Sequence, residues 1–178
     1  LLDAFDQQYM VFQNIHRFRN IPEVEVALPN GGAWKQSEAI CNYVNNLSEE
    51  LVTPEELMSD TDLSIAALGR ILKEYRDVLT EGNLMDFSSI QIEAYHLLQD
   101  NVEILEELRS KVTHIMVDEY QDTNFIQEQL VFLLAGDRKN ICVVGDDDQG
   151  LYRFRGATIR NILEFPQKFA EGECRVIP

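Results

Sequence analysis

Two groups of acidic residues in the second half of the sequence have the spacing needed for phosphate chemistry. Asp118 and Glu119 directly follow the apolar run 115–117, and the acids at 146–148 follow the apolar run 141–144. Clustered carboxylates are stable only when they are solvated, paired or bound to a cation. A magnesium ion carrying a nucleotide would meet that need, because Mg²⁺ takes carboxylate and phosphate oxygens together. These residues therefore predict a magnesium–nucleotide site.

A segment with the pattern of one helix separates the two acidic groups. Residues 124–135 carry apolar side chains at helical spacing, Asn124 can cap the start of the helix, and Gly136 can end it. The flanking apolar runs are short and rich in β-branched residues, which is typical of strands. A strand–helix–strand unit predicts two parallel strands in one sheet, and such sheets bind ligands at the carboxyl ends of their strands. Both acidic groups are therefore expected at the same edge.

Three side chains form the predicted catalytic and nucleotide-binding set. Asp118 is first after its strand and is the candidate Mg²⁺ ligand. Glu119 is one methylene longer and is expected on the other side of an extended backbone, where it could polarise the attacking water without competing for the metal. Gln149 can both donate and accept hydrogen bonds, so it suits contact with a γ-phosphate or with its water.

Aromatic and arginine side chains follow the second acidic group. In an extended segment Tyr152 and Phe154 would lie on the same side, with Arg153 and Arg155 beside them. Stacking of nucleic-acid bases on such rings is sequence-tolerant and contributes about 1–3 kcal/mol per base. An isolated Tyr-x-Phe would favour a core position, but the flanking arginines and Gly156 favour an exposed edge. Tyr152, Phe154 and Arg155 are therefore predicted to contact DNA.

These segments carry a family resemblance. VDEYQDTN at residues 117–124 resembles motif II, the Walker B box, of the UvrD/Rep/PcrA group of superfamily 1 DNA helicases, and VGDDDQGLYRFRGA at residues 144–157 resembles their motif III. LMDFSS at residues 84–89 resembles an element on the family's helical insertion. The resemblance implies the same roles for the acids, the glutamine and the aromatic residues. Gly150 and Phe154 depart from the family, which usually has serine and tryptophan there.

The resemblance also implies a fold and a function. Residues 1–111 would be a helical insertion subdomain, and residues 112–178 the C-terminal half of the first RecA-like, P-loop NTPase motor domain, which makes the chain α/β with a parallel sheet. The parent protein would be an ATP-dependent DNA helicase that uses ATP and Mg²⁺ to move 3′ to 5′ along single-stranded DNA and to unwind duplex junctions, as in DNA repair. No Gly-x-x-x-x-Gly-Lys-Ser/Thr loop occurs in the 178 residues. The chain is therefore predicted to be inactive without the remainder of the helicase.

Composition narrows the possible partners. The net charge is −16, with 20 acids and 8 bases in residues 1–111 and 11 acids and 7 bases in the rest. A generic nucleic-acid binder normally has a basic face, so any DNA contact is expected to be local. No apolar run is long enough to span a membrane. Three widely spaced cysteines predict reduced, partly buried thiols in a cytoplasmic protein.

Apolar periodicity and capping residues predict the remaining elements. Asp86 is a candidate N-cap, and Thr53-Pro54-Glu55-Glu56 has the sequence of a capping box with proline at the first helical position. The predicted helices cover residues 3–19, 34–47, a short stretch from Pro54, 64–79, 87–98, 101–111 and 158–165, and a last strand is predicted at 174–177.

Two other functions are compatible with the residues alone. A metal-dependent phosphohydrolase could use Asp118, Glu119 and the acids at 146–148 as ligands without a phosphate-binding loop. A non-catalytic helical interaction module could retain an acidic α/β remnant. Tight binding of a divalent metal by this chain would favour the first of these.

Overall fold

A computed structural model describes residues 1–146, 163–170 and 173–177. The helices in these ranges are α1 Ala4–Gln13, α2 Ile15–Arg19, α3 Ala33–Glu49, α4 Pro54–Met58, α5 Leu63–Glu81, α6 Phe87–Asp100, α7 Val102–Lys111 and α8 Phe125–Ala135. The strands are β1 Ile115–Val117 and β2 Ile141–Val143. Short 3₁₀ turns occupy Val24–Val26, Tyr120–Asp122, Gly136–Arg138 and Phe165–Lys168. By compactness the chain divides into two units, Leu1–Glu93 and Ala94–Pro178.

Side-chain caps account for the N-terminal boundaries of several helices. Thr53 and Glu56 form the predicted reciprocal capping box, and Asn124 and Gln127 form a second one at the start of α8. Each box satisfies backbone N–H groups that have no partner within the helix. The single helix predicted for residues 3–19 is wrong in one respect, because it is interrupted at Asn14. The Asn14 side chain donates to the carbonyl oxygen of Met10 at 2.9 Å, an interaction that competes with regular helix geometry.

The first unit is a helical bundle with an apolar core. Its fully buried side chains include Val11, Phe18, Ile40, Val44, Ile71 and Leu72, which come from α1, α2, α3 and α5. Burial of apolar surface on this scale supplies the main stabilisation of such a unit. Cys41 is also buried there, and burial, followed by the charge of Asp86, raises the pKa of its thiol to about 12. Of the three cysteines, Cys41 is buried and Cys174 is half-buried, as predicted, but Cys142 is exposed.

A polar network lies inside this unit and is centred on Asp86. As predicted, Asp86 caps α6: its Oδ1 accepts hydrogen bonds from the backbone N–H and the Oγ hydroxyl of Ser89, both at 2.6 Å. Its Oδ2 accepts from the hydroxyl of Tyr75 and, at 3.2 Å, from the Nε2 of Gln7. Gln7 also donates to Oδ1 of Asn45 at 2.7 Å. Burial and the nearby Asp86 carboxylate raise the pKa of the Tyr75 phenol, so Tyr75 remains a hydrogen-bond donor at neutral pH.

The second unit contains the predicted strand–helix–strand arrangement. β1 and β2 are parallel, with Ile115, Met116 and Val117 opposite Ile141, Cys142 and Val143. Helix α8 forms the connection between them and begins and ends where its capping residues predict. The α/β character of the chain is therefore confirmed, as a mostly helical protein with a small parallel sheet in its described part.

One element predicted after β2 is not formed. Residues 174–177 are not a strand, and in the described part of the chain the sheet consists of β1 and β2 alone. Most of the helix predicted for 158–165 lies outside the described residues. The described residues Leu163 and Glu164 are helical, as predicted, and a 3₁₀ turn containing Pro166 follows at Phe165–Lys168. None of the helices that the structure describes has the length and apolar character of a membrane span.

Candidate functional site

The two acidic loops lie side by side at the carboxyl ends of the strands. The hydrogen-bond ladder continues past both strand ends: Val144 donates its N–H to the Val117 carbonyl at 2.8 Å, and Tyr120 donates to the Val144 carbonyl at 2.9 Å. This pairing brings the segment that starts with Asp118 next to the segment that leads to Asp146. The predicted meeting of the two acidic groups is therefore confirmed for the residues that the structure describes.

Asp118 presents an exposed carboxylate at this edge. Its Oδ1 accepts the backbone N–H of Glu119 at 2.9 Å, which orients the side chain toward the turn. In the described ranges, no group of three or more His, Cys, Asp and Glu side chains could enclose a metal ion. Mg²⁺ does not need such a cage, since it is usually held by one or two carboxylates, water and substrate phosphates. The Asp118 carboxylate fits that donor set.

Glu119 has an unusual backbone conformation. Its φ and ψ are 49° and 44°, in the left-handed region, so the extended backbone predicted at this position is wrong. The chain has to turn here because Tyr120 donates to Val144 across the sheet and residues Tyr120–Asp122 then form a 3₁₀ turn. A left-handed conformation costs a residue with a Cβ about 1–2 kcal/mol. Surrounding hydrogen bonds must therefore hold this turn in place.

Gln121 connects the two acidic loops, a role that sequence reasoning missed. Its side chain is buried, at 3% exposure. Its Nε2 donates to Oε2 of Glu119 at 2.6 Å, and its Oε1 accepts the backbone N–H of Asp146 at 3.0 Å. One amide therefore fixes both the Glu119 carboxylate and the start of the second loop. The only sequence signal was a long amide side chain among acids, which does not reveal its partners.

Tyr120 helps to hold the turn at Glu119 in place. It is fully buried, and its hydroxyl donates to Oε1 of Glu128 on α8 at 2.7 Å. Its ring packs edge-on against Phe165, with 5.2 Å between ring centroids. Burial, the hydrogen bond to Glu128 and the negative charge of Glu128 raise the pKa of the Tyr120 phenol.

The remaining predicted site residues lie outside the described part of the chain. These are Gln149, Tyr152, Phe154 and Arg155, together with the second and third acids of the 146–148 group. Their roles stay predictions.

A separate open cleft of about 340 Å³ lies at the ends of α7 and α8, but its two arginines are engaged with backbone carbonyls. Arg109 donates to the Leu133 carbonyl at 2.7 Å, and Arg138 donates to the Arg109 carbonyl.

A parallel strand–helix–strand unit with acids at its carboxyl edge is typical of nucleotide-hydrolysing domains, and comparison with known families agrees with this class. The model of the UvrD/REP helicase N-terminal domain matches residues 3–170, so this chain belongs to that family.

Among curated proteins, the chain is similar to the ATP-dependent DNA helicase PcrA of Staphylococcus epidermidis (strain RP62A), with 40% identity over 131 residues, covering 73% of this chain and 18% of the relative. PcrA of Staphylococcus aureus (strain Mu50) is 40% identical over 129 residues, covering 72% of this chain and 18% of the relative. DNA helicase II of Haemophilus influenzae is 36% identical over 176 residues, covering 99% of this chain and 23% of the relative. The chain thus spans about a fifth of the length of these relatives.

Proposed function

We propose that this chain is part of the motor of an ATP-dependent DNA helicase, and that it supplies the carboxylates for ATP hydrolysis. The observation that carries the proposal is the bridge formed by Gln121, which joins Glu119 to Asp146 at the carboxyl edge of two parallel strands. Family membership and the names of the relatives support a helicase as the parent protein. Residues 112–178 would belong to its first RecA-like motor domain and residues 1–111 to a helical insertion.

The two acids at the end of β1 have different proposed roles. Asp118 would hold Mg²⁺ together with the terminal phosphates of ATP, and the bound ion would neutralise charge on the transferred phosphoryl group. Glu119 would orient the attacking water and accept its proton. The hydrogen bond from Gln121 engages Oε2 of Glu119. Within the described part of the chain the other carboxylate oxygen accepts no hydrogen bond, so it would be the one to bind a water. Because the backbone at Glu119 is left-handed and not extended, its side chain lies within hydrogen-bonding distance of Gln121.

The proposed coupling to DNA uses residues beyond the described loops. Gln149 would contact the γ-phosphate or its water, and Tyr152, Phe154 and Arg155 would bind single-stranded DNA by stacking and charge. Movement would be 3′ to 5′, with unwinding at duplex junctions during DNA repair in the cytoplasm. The phosphate-binding lysine loop would come from the remainder of the parent protein, since the 178 residues lack that motif. The chain alone is therefore proposed to be inactive.

Steady-state ATP hydrolysis by the protein from its complete natural reading frame tests this function. We expect Mg²⁺-dependent turnover that single-stranded DNA stimulates, and no turnover by the 178-residue chain alone. Absence of turnover from the complete protein would contradict the proposal. Hydrolysis of phosphomonoesters by the short chain with a divalent metal would instead favour a metal-dependent phosphohydrolase.

Replacing Gln121 by Met in the complete protein should lower kcat for ATP about tenfold, since a buried amide's two hydrogen bonds contribute about 1–3 kcal/mol to orientation. Methionine has a similar length but cannot donate to Glu119 or accept from Asp146. The matched control is Gln99→Met, because Gln99 is exposed and donates to Tyr95 within its own helix. Equal rates for wild type and Gln121→Met would show that the bridge does not orient Glu119.

A further inference from the structure

Glu128 is a buried acid in the first turn of α8. It is 1% exposed, and its two carboxylate oxygens have different partners. Oε1 accepts the hydroxyl of Tyr120 at 2.7 Å, and Oε2 accepts the ammonium of Lys168 at 2.5 Å. A carboxylate removed from water is tolerated only when such partners compensate for its lost hydration. The buried Glu128 carboxylate therefore depends on two other segments of the chain for its hydrogen-bond and ion-pair partners.

The two partners come from different segments of the chain. Tyr120 directly follows Glu119, whereas Lys168 ends the 3₁₀ turn Phe165–Lys168. Aromatic contacts reinforce the same junction: Tyr120 packs on Phe165, and the Lys168 ammonium lies 5.6 Å from the ring centroid of Phe132. Phe165 also lies 5.0 Å from Phe169, measured between ring centroids. The base of the Glu119 turn is therefore held both by an ion pair and by packed rings.

Burial of the ion pair distinguishes it from other pairs in this unit. The side chain of Glu128 is 1% exposed and that of Lys168 is 30% exposed. Lys111 and Glu107 are separated by the same 2.5 Å, but their side chains are 65% and 66% exposed. Exposed pairs are screened by water and contribute little, whereas loss of one partner from a buried pair leaves an uncompensated charge. Among the ion pairs described in this unit, the Glu128–Lys168 pair has the most buried carboxylate and is therefore the best suited to fix a geometry.

We propose that Glu128, Tyr120 and Lys168 are positioning residues for ATP hydrolysis, and that their contacts hold the left-handed turn that places Glu119. This inference rests on the proposed function, because it explains how the strained backbone of Glu119 is held in the position that ATP hydrolysis would require. The three residues act through the turn and do not themselves touch the nucleotide. Without them the turn would relax, and the carboxylate would move away from the position in which Gln121 holds it.

The test measures kcat and KM for ATP in the complete protein with single-stranded DNA, expressed per nucleotide-binding site. We expect Tyr120→Phe, Lys168→Met and Glu128→Gln each to lower kcat about 10-fold or more with little change in KM, since small displacements of a reacting group cost up to about 100-fold. Lys168→Arg, which keeps the charge, should restore most of the lost rate. Lys111→Met should match the wild type.

The outcomes separate this inference from the proposed function. If the wild type is active and the Glu119→Gln variant is inactive, a normal kcat per site in all three positioning variants would overturn this inference alone. A lower melting temperature of those three variants would not change that conclusion. A wild type without DNA-stimulated turnover would overturn the proposed function. Tyr120→Phe removes one oxygen atom and keeps both the ring contact and the ion pair, so it carries the test if Glu128→Gln does not fold.

Discussion

Replacing Glu119 by Gln in the complete protein is expected to lower the DNA-stimulated rate of ATP hydrolysis by about 10²–10⁴-fold, the usual contribution of a general base. Glutamine keeps the length of the side chain but cannot accept a proton from water. Its amide can still interact with Gln121, so the turn and the neighbouring Asp118 should keep their positions. ATP binding should therefore remain close to that of the wild type, while kcat falls.

Single-turnover hydrolysis and equilibrium binding of a fluorescent ATP analogue would separate these two effects. Asp137→Asn is the matched control, because it also changes a carboxylate to an amide on an exposed residue of the same unit. Its rate should equal that of the wild type. Turnover by Glu119→Gln within a few-fold of the wild type would remove Glu119 from the catalytic role and favour another residue as the base.

Asp86→Ala should lower the free energy of unfolding by about 3–5 kcal/mol, because each buried donor left without an acceptor costs about 1–3 kcal/mol. The Asp86 carboxylate accepts four hydrogen bonds from Ser89, Tyr75 and Gln7. Truncation would remove the cap of α6 and leave the Tyr75 hydroxyl and the Gln7 amide buried without this acceptor. Urea denaturation followed by circular dichroism would measure the loss.

Asp62→Ala provides the comparison for this stability prediction. Asp62 caps α5 with the same chemistry, accepting from the backbone N–H of Ser64 at 2.8 Å and from its hydroxyl at 2.6 Å, but it is exposed. Water can replace its hydrogen bonds, so its truncation should cost much less than that of Asp86. Equal losses in the two variants would mean that capping, and not the buried network, accounts for the contribution of Asp86.

Sequence alone predicted the features of this chain that depend on local pattern. Helix boundaries at Thr53, Asp86 and Asn124 follow from side chains that satisfy N–H groups three residues away, which are interactions between near neighbours in sequence. The pairing of β1 with β2 followed from a general rule, because a short helical connection between two strands requires them to be parallel. The meeting of the two acidic loops followed from the same rule.

Tertiary structure alone decided how these residues are held. The Gln121 bridge, the Glu128–Lys168 ion pair and the network around Asp86 join residues far apart in sequence, and no periodicity or spacing indicates such partners. The left-handed turn at Glu119 and the absence of a strand at 174–177 have the same origin. Each depends on whether another segment offers a hydrogen-bonding partner at that place, and such partners exist only after the chain has folded.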